Sequence, residues 1–192
     1  MVDQVLIHYG IKGQKWGVRR YQNPDGTYTD LGKKRRGTRL FVSGSSKTQD
    51  ETSVYRRDLP EEVKNVLKEY MNQKAKILIG DAPGIDSQVQ DFLNEMKYKN
   101  VTVFAPGKQV RYLANESWKS KLYDSKYEPY SPEWLAKKDK AMSRSATEGL
   151  AVTLDNGSRA TKNNVERLDK KGKKVRVYEL SSKGSKHDKW VR

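Results

Sequence analysis

The sequence contains no cysteine, which removes disulfides, thiolate metal ligands and a cysteine nucleophile from consideration. Histidine is almost as scarce. The two present, His8 and His187, stand at opposite ends of the 192 residues, and neither has a partner at metal-ligand spacing. Zinc chemistry and a Ser-His-Asp mechanism are disfavoured on those grounds, and no catalytic or metal-ligating residue is assigned. Long apolar runs are missing too: nothing approaches the roughly 20 apolar residues that cross a bilayer, and the first residues lack the basic-then-apolar order of a secretion signal. A soluble, unexported chain with no membrane contact is expected. Hydrophobic residues are 34% of the chain and charged residues 33%, a balance that leaves one modest core and some chain outside it.

Acidic charge is the remaining deficit, and the formal net charge is +15. Residues 1–38 carry 8 Lys and Arg against 3 acids and residues 181–192 carry 4 against 1, so 8 of the 15 surplus charges lie in the two terminal segments. The surplus of the body reads as a solvated surface; that of the termini suits an anionic partner.

Residues 1–38 keep no period of 2 or 3.6 and are dense in Gly, Lys, Arg and aromatics, with a turn signal at Asn23-Pro24-Asp25-Gly26. They read as a basic arm. From Arg39 onward short apolar runs alternate with amphipathic stretches. Strands are predicted at Arg39–Ser43, Lys76–Ile79, Val101–Phe104, Gly149–Leu154 and Val175–Leu180, and helices at Leu59–Asn72, Gly84–Tyr98, Pro132–Ser145 and Ser158–Lys171. Strand and helix repeated in this way demand right-handed crossovers and a mainly parallel sheet of about five strands, covered on both faces: an α/β, three-layer domain over residues 39–180. Residues 105–131 interrupt the rhythm and are expected to lie over the sheet edge as an insertion. Residues 181–192 read as a frayed basic tail.

Three strands end in small, hydrogen-bonding residues: Ser43-Gly44-Ser45, Gly80-Asp81-Ala82-Pro83-Gly84-Ile85-Asp86, and Gly157-Ser158-Arg159-Ala160-Thr161. A parallel sheet brings all three to its carboxyl edge, where open α/β sheets bind ligands. Glycine lets the backbone approach a phosphate, and the following helix offers free N–H groups and a positive dipole end. Arg159, Ser158 and Thr161 add donors, whereas Asp81 and Asp86 would repel a phosphate and suit ribose hydroxyls or a base edge. The same residue types are ordinary strand-to-helix punctuation, and it is the convergence of three such turns that favours a ligand. Within the insertion, Arg111 and Trp118 are the candidates to clamp a phosphate and stack on a base, among Tyr112, Tyr123, Tyr127 and Tyr130.

The turns fit neither the dinucleotide fingerprint nor the Walker loop. Phe41-Val42-Ser43-Gly44-Ser45, Ile79-Gly80-Asp81-Ala82-Pro83-Gly84-Ile85-Asp86 and Gly157-Ser158-Arg159-Ala160-Thr161 closely resemble the SLOG superfamily, the Rossmann-like group that includes SMF/DprA and LOG proteins, and within it the YspA-like branch. The resemblance implies a Rossmann-like domain whose pocket holds a nucleotide-like ligand with no separate cofactor. Its lining would be Ser43, Gly44, Ser45, Gly80, Asp81, Ala82, Gly84, Asp86, Gly157, Ser158, Arg159 and Thr161. LOG-type phosphoribohydrolases place a catalytic glutamate where this chain has Asn164, and an amide cannot act as a carboxylate base. Binding without turnover is therefore favoured.

The arm, through His8-Tyr9-Gly10-Ile11-Lys12-Gly13-Gln14-Lys15-Trp16-Gly17-Val18-Arg19-Arg20-Tyr21 and on to Lys33, resembles a segment of tailed-phage structural proteins. That implies a phage structural protein as partner for residues 8–33 and a place in the host cytoplasm or on the virion. Together the resemblances imply a phage-encoded protein that captures a nucleotide-derived small molecule, such as a host immune signal, and acts as a sponge. Related pockets are completed by a neighbouring subunit, which implies a homo-oligomer. The alternatives are a nucleotide or nucleoside N-glycosidase and a DNA- or virion-binding structural protein, the latter with salt-sensitive affinity for duplex DNA.

Overall fold

The computed structural model describes residues 21, 23, 29–32, 37–45, 59–124, 126–154, 158–180 and 186–191, with the backbone path alone for 154, 180 and 186–191. The chain divides into two compact units, Met1–Arg36 and Gly37–Arg192. Of the first, Thr29 donates its N–H to Tyr21 O at 3.3 Å, and its hydroxyl accepts the N–H of Gly32 at 3.1 Å. Most of the segment that resembles phage structural proteins lies outside the described residues.

The second unit alternates strands and helices in the order β1 (Arg39–Gly44), α1 (Glu61–Asn72), β2 (Lys76–Gly80), α2 (Ile85–Glu95), β3 (Val101–Pro106), β4 (Lys119–Tyr123), α3 (Pro132–Ser145), β5 (Glu148–Leu154), α4 (Arg159–Asp169), β6 (Val175–Leu180) and β7 (Lys186–Val191). One seven-stranded sheet runs β4-β3-β2-β1-β5-β6-β7. The first six strands in chain order pair in parallel, and β7 pairs antiparallel with β6. This is the Rossmann-like α/β architecture expected from the alternation of short apolar runs and amphipathic stretches.

Central strands are buried on both faces, so they read as unbroken apolar runs. Leu40, Val42, Ile77, Ile79, Val101, Val103, Leu150 and Val152 face α1 and α2, which supply Val63, Val66, Leu67, Val89, Phe92 and Leu93 to one core layer. Phe41, Leu78, Phe104, Ala151, Val175 and Val177 face the other way and meet Ala141, Met142 and Leu168 of α3 and α4. The helices start where the local chemistry allows. Pro60 precedes α1, whose first turn holds Glu61 and Glu62, and the Ser131 hydroxyl accepts the Trp134 N–H at the head of α3.

Two strands escaped the sequence reading. Residues 105–131 do not simply lie over the sheet edge, because Lys119–Tyr123 extends the sheet as β4, pairing Thr102 with Lys119 and Pro106 with Tyr123. Its side chains are mostly exposed, so it lacks the apolar run that marks the inner strands. Residues 181–192 are not wholly a frayed tail either: Lys186–Val191 pairs with β6, Leu180 opposite Lys186 and Val175 opposite Val191. An edge strand takes its order from ladder hydrogen bonds on one side and carries little hydrophobic signal.

One close packing contact ties the first two turns together. A Cβ on Gly44 would lie 2.3 Å from both Cβ and Cγ2 of Ile85, the first residue of α2. Gly44→Ala is therefore expected to lower stability by about 1–3 kcal/mol through overpacking. Urea midpoints would check this, and pairing it with Ile85→Ala should recover part of the loss.

Candidate functional site at the carboxyl edge of the sheet

The strand order reverses at β1: β2, β3 and β4 are added on one side of it, β5 and β6 on the other. Such a reversal splits the connections at the carboxyl edge to opposite faces and opens a crevice between them. The turn after β1 and the head of α4 border it. They are joined through Asn164, one turn into α4, whose Nδ2 donates to Ser43 Oγ at 2.9 Å. The turn after β2 joins them through the Ile85 N–H, which donates to Ser45 O at 3.3 Å. The Ser45 N–H in turn donates to Val152 O of β5 at 3.2 Å. Residues more than a hundred positions apart thus share one edge.

At the crevice, Ser43 and Ser45 are buried, and Ser45 Oγ has no hydrogen-bond partner among the described residues. Gly84 precedes α2 with φ of 96°, a backbone that glycine tolerates best. Ser158 caps α4: its hydroxyl accepts the Thr161 N–H at 3.1 Å and contacts Thr161 Oγ1 at 2.8 Å. Thr161 is fully buried by this contact, while Arg159 stands exposed beside it. The first turn of α4 holds no acidic residue, unlike those of α1, α2 and α3, so no side chain of that turn opposes its positive dipole end. Gly157 lies outside the described residues.

The aspartates of the second turn serve the protein itself and are not presented to a ribose or base. Asp81 is wholly buried, and Arg111 takes both its oxygens: Nη2 donates to Oδ1 at 2.6 Å, and Nε and the backbone N–H donate to Oδ2 at 2.9 and 3.1 Å. Arg111 is thereby held at the edge as a positioned cation, and not as a free phosphate clamp. Asp86 accepts the Ala82 N–H at 3.3 Å and lies 3.9 Å from Lys138 Nζ. Lys138 Nζ also meets Asp139 Oδ1 at 3.1 Å, and Asp139 Oδ2 accepts a second hydrogen bond from Asn164 at 3.1 Å. Gly80 is the floor of this cluster, since a Cβ there would fall 2.1 Å from Asp86 Oδ2 and 2.6 Å from Lys138 Nζ. Burial raises the Asp86 carboxyl to about 6; Lys138 opposes the rise, and Asp139 and Asp81 add to it. The Lys138 ammonium is held above its ordinary range despite burial, because Asp139, Asp86 and Asp81 surround it.

Asn164 is buried and fully engaged. It donates to Ser43 and Asp139, and its carbonyl oxygen accepts from Arg167 Nη1. Where the resemblance called for a glutamate, the chain has a structural amide that locks α4 to β1. Gln90, also buried, donates to Gly80 O at 2.8 Å and accepts the Ala114 N–H at 3.1 Å, which fastens the 111–114 segment to the end of β2.

Trp118 is not at the site. It directly precedes β4, and a parallel strand begins at the amino edge, so the indole sits a strand length from the crevice, roughly 16 Å for five residues. There it is a core residue, its Nε1 donating to Tyr98 O at 2.9 Å. Lys138 and Asp139 are site residues that sequence reasoning missed. The signal was present: Lys138 occupies the buried stripe between Trp134 and Met142, four residues from each.

A three-layer α/β protein with its polar groups at a topological switch point is the class that fold and site define. Two solved structures share the fold. TM1055, a structural genomics target, is 14% identical with a TM-score of 0.52, over 72% of this chain and 72% of that one. DNA processing protein A from Helicobacter pylori, whose structure is described for its single-stranded DNA binding mode, is 13% identical with a TM-score of 0.54, over 73% of this chain and 65% of that one. Residues 1–23 match a family of unknown function, DUF7211. No curated protein matches the chain. Among the described residues, no helix is long and apolar enough to cross a membrane.

Proposed function

We propose that this protein binds a nucleotide-derived, phosphate-bearing small molecule in the switch-point crevice, without turning it over. The observation that carries the reading is Ser45, whose buried hydroxyl has no hydrogen-bond partner among the described residues and which follows β1, where the strand order reverses, next to the strand that leads into α4. A buried polar group without a partner is uncommon in folded proteins and suits a site that a ligand completes. In this reading the Ser45 hydroxyl and the α4 N-terminus receive the phosphate, and Arg159 supplies a charged donor. Asn164 in place of a carboxylate supports capture over N-glycoside hydrolysis.

In the fuller form of the proposal the protein is a phage-encoded member of the YspA-like SLOG branch. It sequesters a host immune signalling nucleotide in the host cytoplasm or on the virion, as a homo-oligomer, with residues 8–33 docking on a phage structural protein. Capture at stoichiometric levels needs nanomolar affinity, about 12 kcal/mol of binding free energy.

The test is calorimetric titration with mononucleotides, dinucleotides, cyclic nucleotides and a short single-stranded oligodeoxynucleotide, with chromatography of each mixture for released base. At least one small nucleotide should bind and none should lose its base. Arg159→Glu should weaken that binding by roughly 10-fold or more, the worth of a charge-assisted hydrogen bond. The thermal melt should stay nearly unchanged, because Arg159 is exposed. Multiple turnovers of base release would replace capture by N-glycosidase activity, and binding of the oligonucleotide alone would move the reading to nucleic acid.

A further inference from the structure

We infer that Tyr130 is the stacking platform for the base of the bound molecule, and thus that the ligand carries a planar aromatic ring at the end remote from its phosphate. This rests on the crevice reading above and adds the ring, its position and the residue that recognises it.

Tyr130 adopts φ of 68°, a left-handed backbone that a bulky side chain rarely takes, and yet the residue is 68% exposed. Strain of this kind persists where the surroundings over-determine it, and it gathers at binding sites. Core packing does not account for it here, because the ring belongs to neither core layer. Its support comes from beneath: the buried Trp134 ring lies 5.3 Å away, centroid to centroid, tilted by 49°. Trp134 stands in the first turn of α3, and Arg111 lies over its ring at 6.0 Å. Arg111 is itself fixed to Asp81 at the end of β2. A solvent-facing aromatic is therefore mounted on two immobilised groups at the carboxyl edge.

The placement suits one end of a nucleotide. Tyr130 lies between the carboxyl end of β4 and the head of α3, on the side of β1 where β2, β3 and β4 lie, while Ser45 stands at β1 itself. The Trp134 ring beneath Tyr130 sits at the end of β3, where a Cβ on Gly107 would lie 2.8 Å from it. With strands about 4.8 Å apart, β3 is about 10 Å from β1, the scale of a base held away from its phosphate. Arg111 lines the interval, its guanidinium kept in the charged form by Asp81 against the penalty of burial. Stacking on a propped ring is tolerant of base identity, because every base offers a π face, so the inference names a ring and not one particular base.

The experiment compares adenosine 5′-monophosphate with ribose 5-phosphate, which keeps the phosphate and sugar and lacks the base. Wild-type protein should bind the nucleotide more tightly. Tyr130→Ala should weaken nucleotide binding by roughly 5- to 150-fold, the span of base-on-aromatic stacking, and leave ribose 5-phosphate unaffected. Tyr130→Phe and Tyr130→Trp should retain nucleotide affinity. Tyr130→Gly, which removes the ring and relieves the backbone, serves as a second truncation should alanine disturb folding. Equal binding of the two probes by wild type, or unchanged nucleotide affinity in both truncations, overturns the platform while sparing the phosphate site. Failure of wild type to bind either probe overturns the platform, and the crevice reading falls with it where the wider nucleotide titration also finds no binding.

Discussion

Arg111→Ala is expected to lower the unfolding free energy by about 3–5 kcal/mol, the cost of stranding a buried charge. The Asp81 carboxylate has no exposure, and both its oxygens are held by Arg111 alone among the side chains described. Lys138, the next cation, is in contact with Asp86 and Asp139 and acts on Asp81 only at longer range. Urea unfolding of Arg111→Ala, of Asp81→Asn and of the double variant gives the coupling between them. Because Asp81→Asn removes the stranded charge, the double variant should be more stable than Arg111→Ala. A loss below about 1 kcal/mol, the range of surface ion pairs, would show that Asp81 is solvated in solution.

The second large effect is expected at Lys138 and depends on pH. Lys138→Met should cost about 3–5 kcal/mol above about pH 7, since it leaves Asp86 and Asp139 facing each other without their cation. Asp86 titrates at about 6 in the fold against an ordinary 3.8, chiefly through burial. An acid with a raised folded pKa binds its proton more readily in the native state, so its ionisation weakens the fold as pH rises from about 4 through about 6. Acidification relieves that penalty. Without Lys138, the largest influence favouring its ionised form, Asp86 should take up its proton at still higher pH. The deficit of Lys138→Met relative to wild type should accordingly shrink as pH falls below about 6. Denaturation midpoints measured on both sides of that value decide the matter, and a deficit that is the same at both would trace the loss to packing in place of charge.

Much of this domain was legible in the chain. The five inner strands and four helices follow from apolar runs such as Leu40-Phe41-Val42 and from stripes such as Val63, Val66, Leu67 and Tyr70. The candidate site was legible as three turns, two of which meet in contacts of Ile85 with Gly44 and Ser45. What escaped has physical reasons. β4 and β7 lie at the sheet edges, where one-sided pairing leaves little apolar pattern. The reading of Asp81 and Asp86 as ligand contacts took the charge of the turn without its counter-ions, which arrive from Arg111 and Lys138, about 30 and 50 positions away along the chain. Trp118 was placed by composition alone, and a parallel register carried it to the opposite edge.

The sequence by itself determined the order of elements, the parallel sheet and the gathering of small polar residues at one edge, because all of these follow from side-chain period and backbone preference within a few residues. Which of those residues the protein uses for its own internal pairing was decided only by tertiary structure. Burial forces a charged or polar group to find a partner, and the partners of Asp81, Asp86 and Asn164 are brought to them by other elements; the binding role proposed for Ser45, the head of α4 and Tyr130 rests on what those pairings leave over.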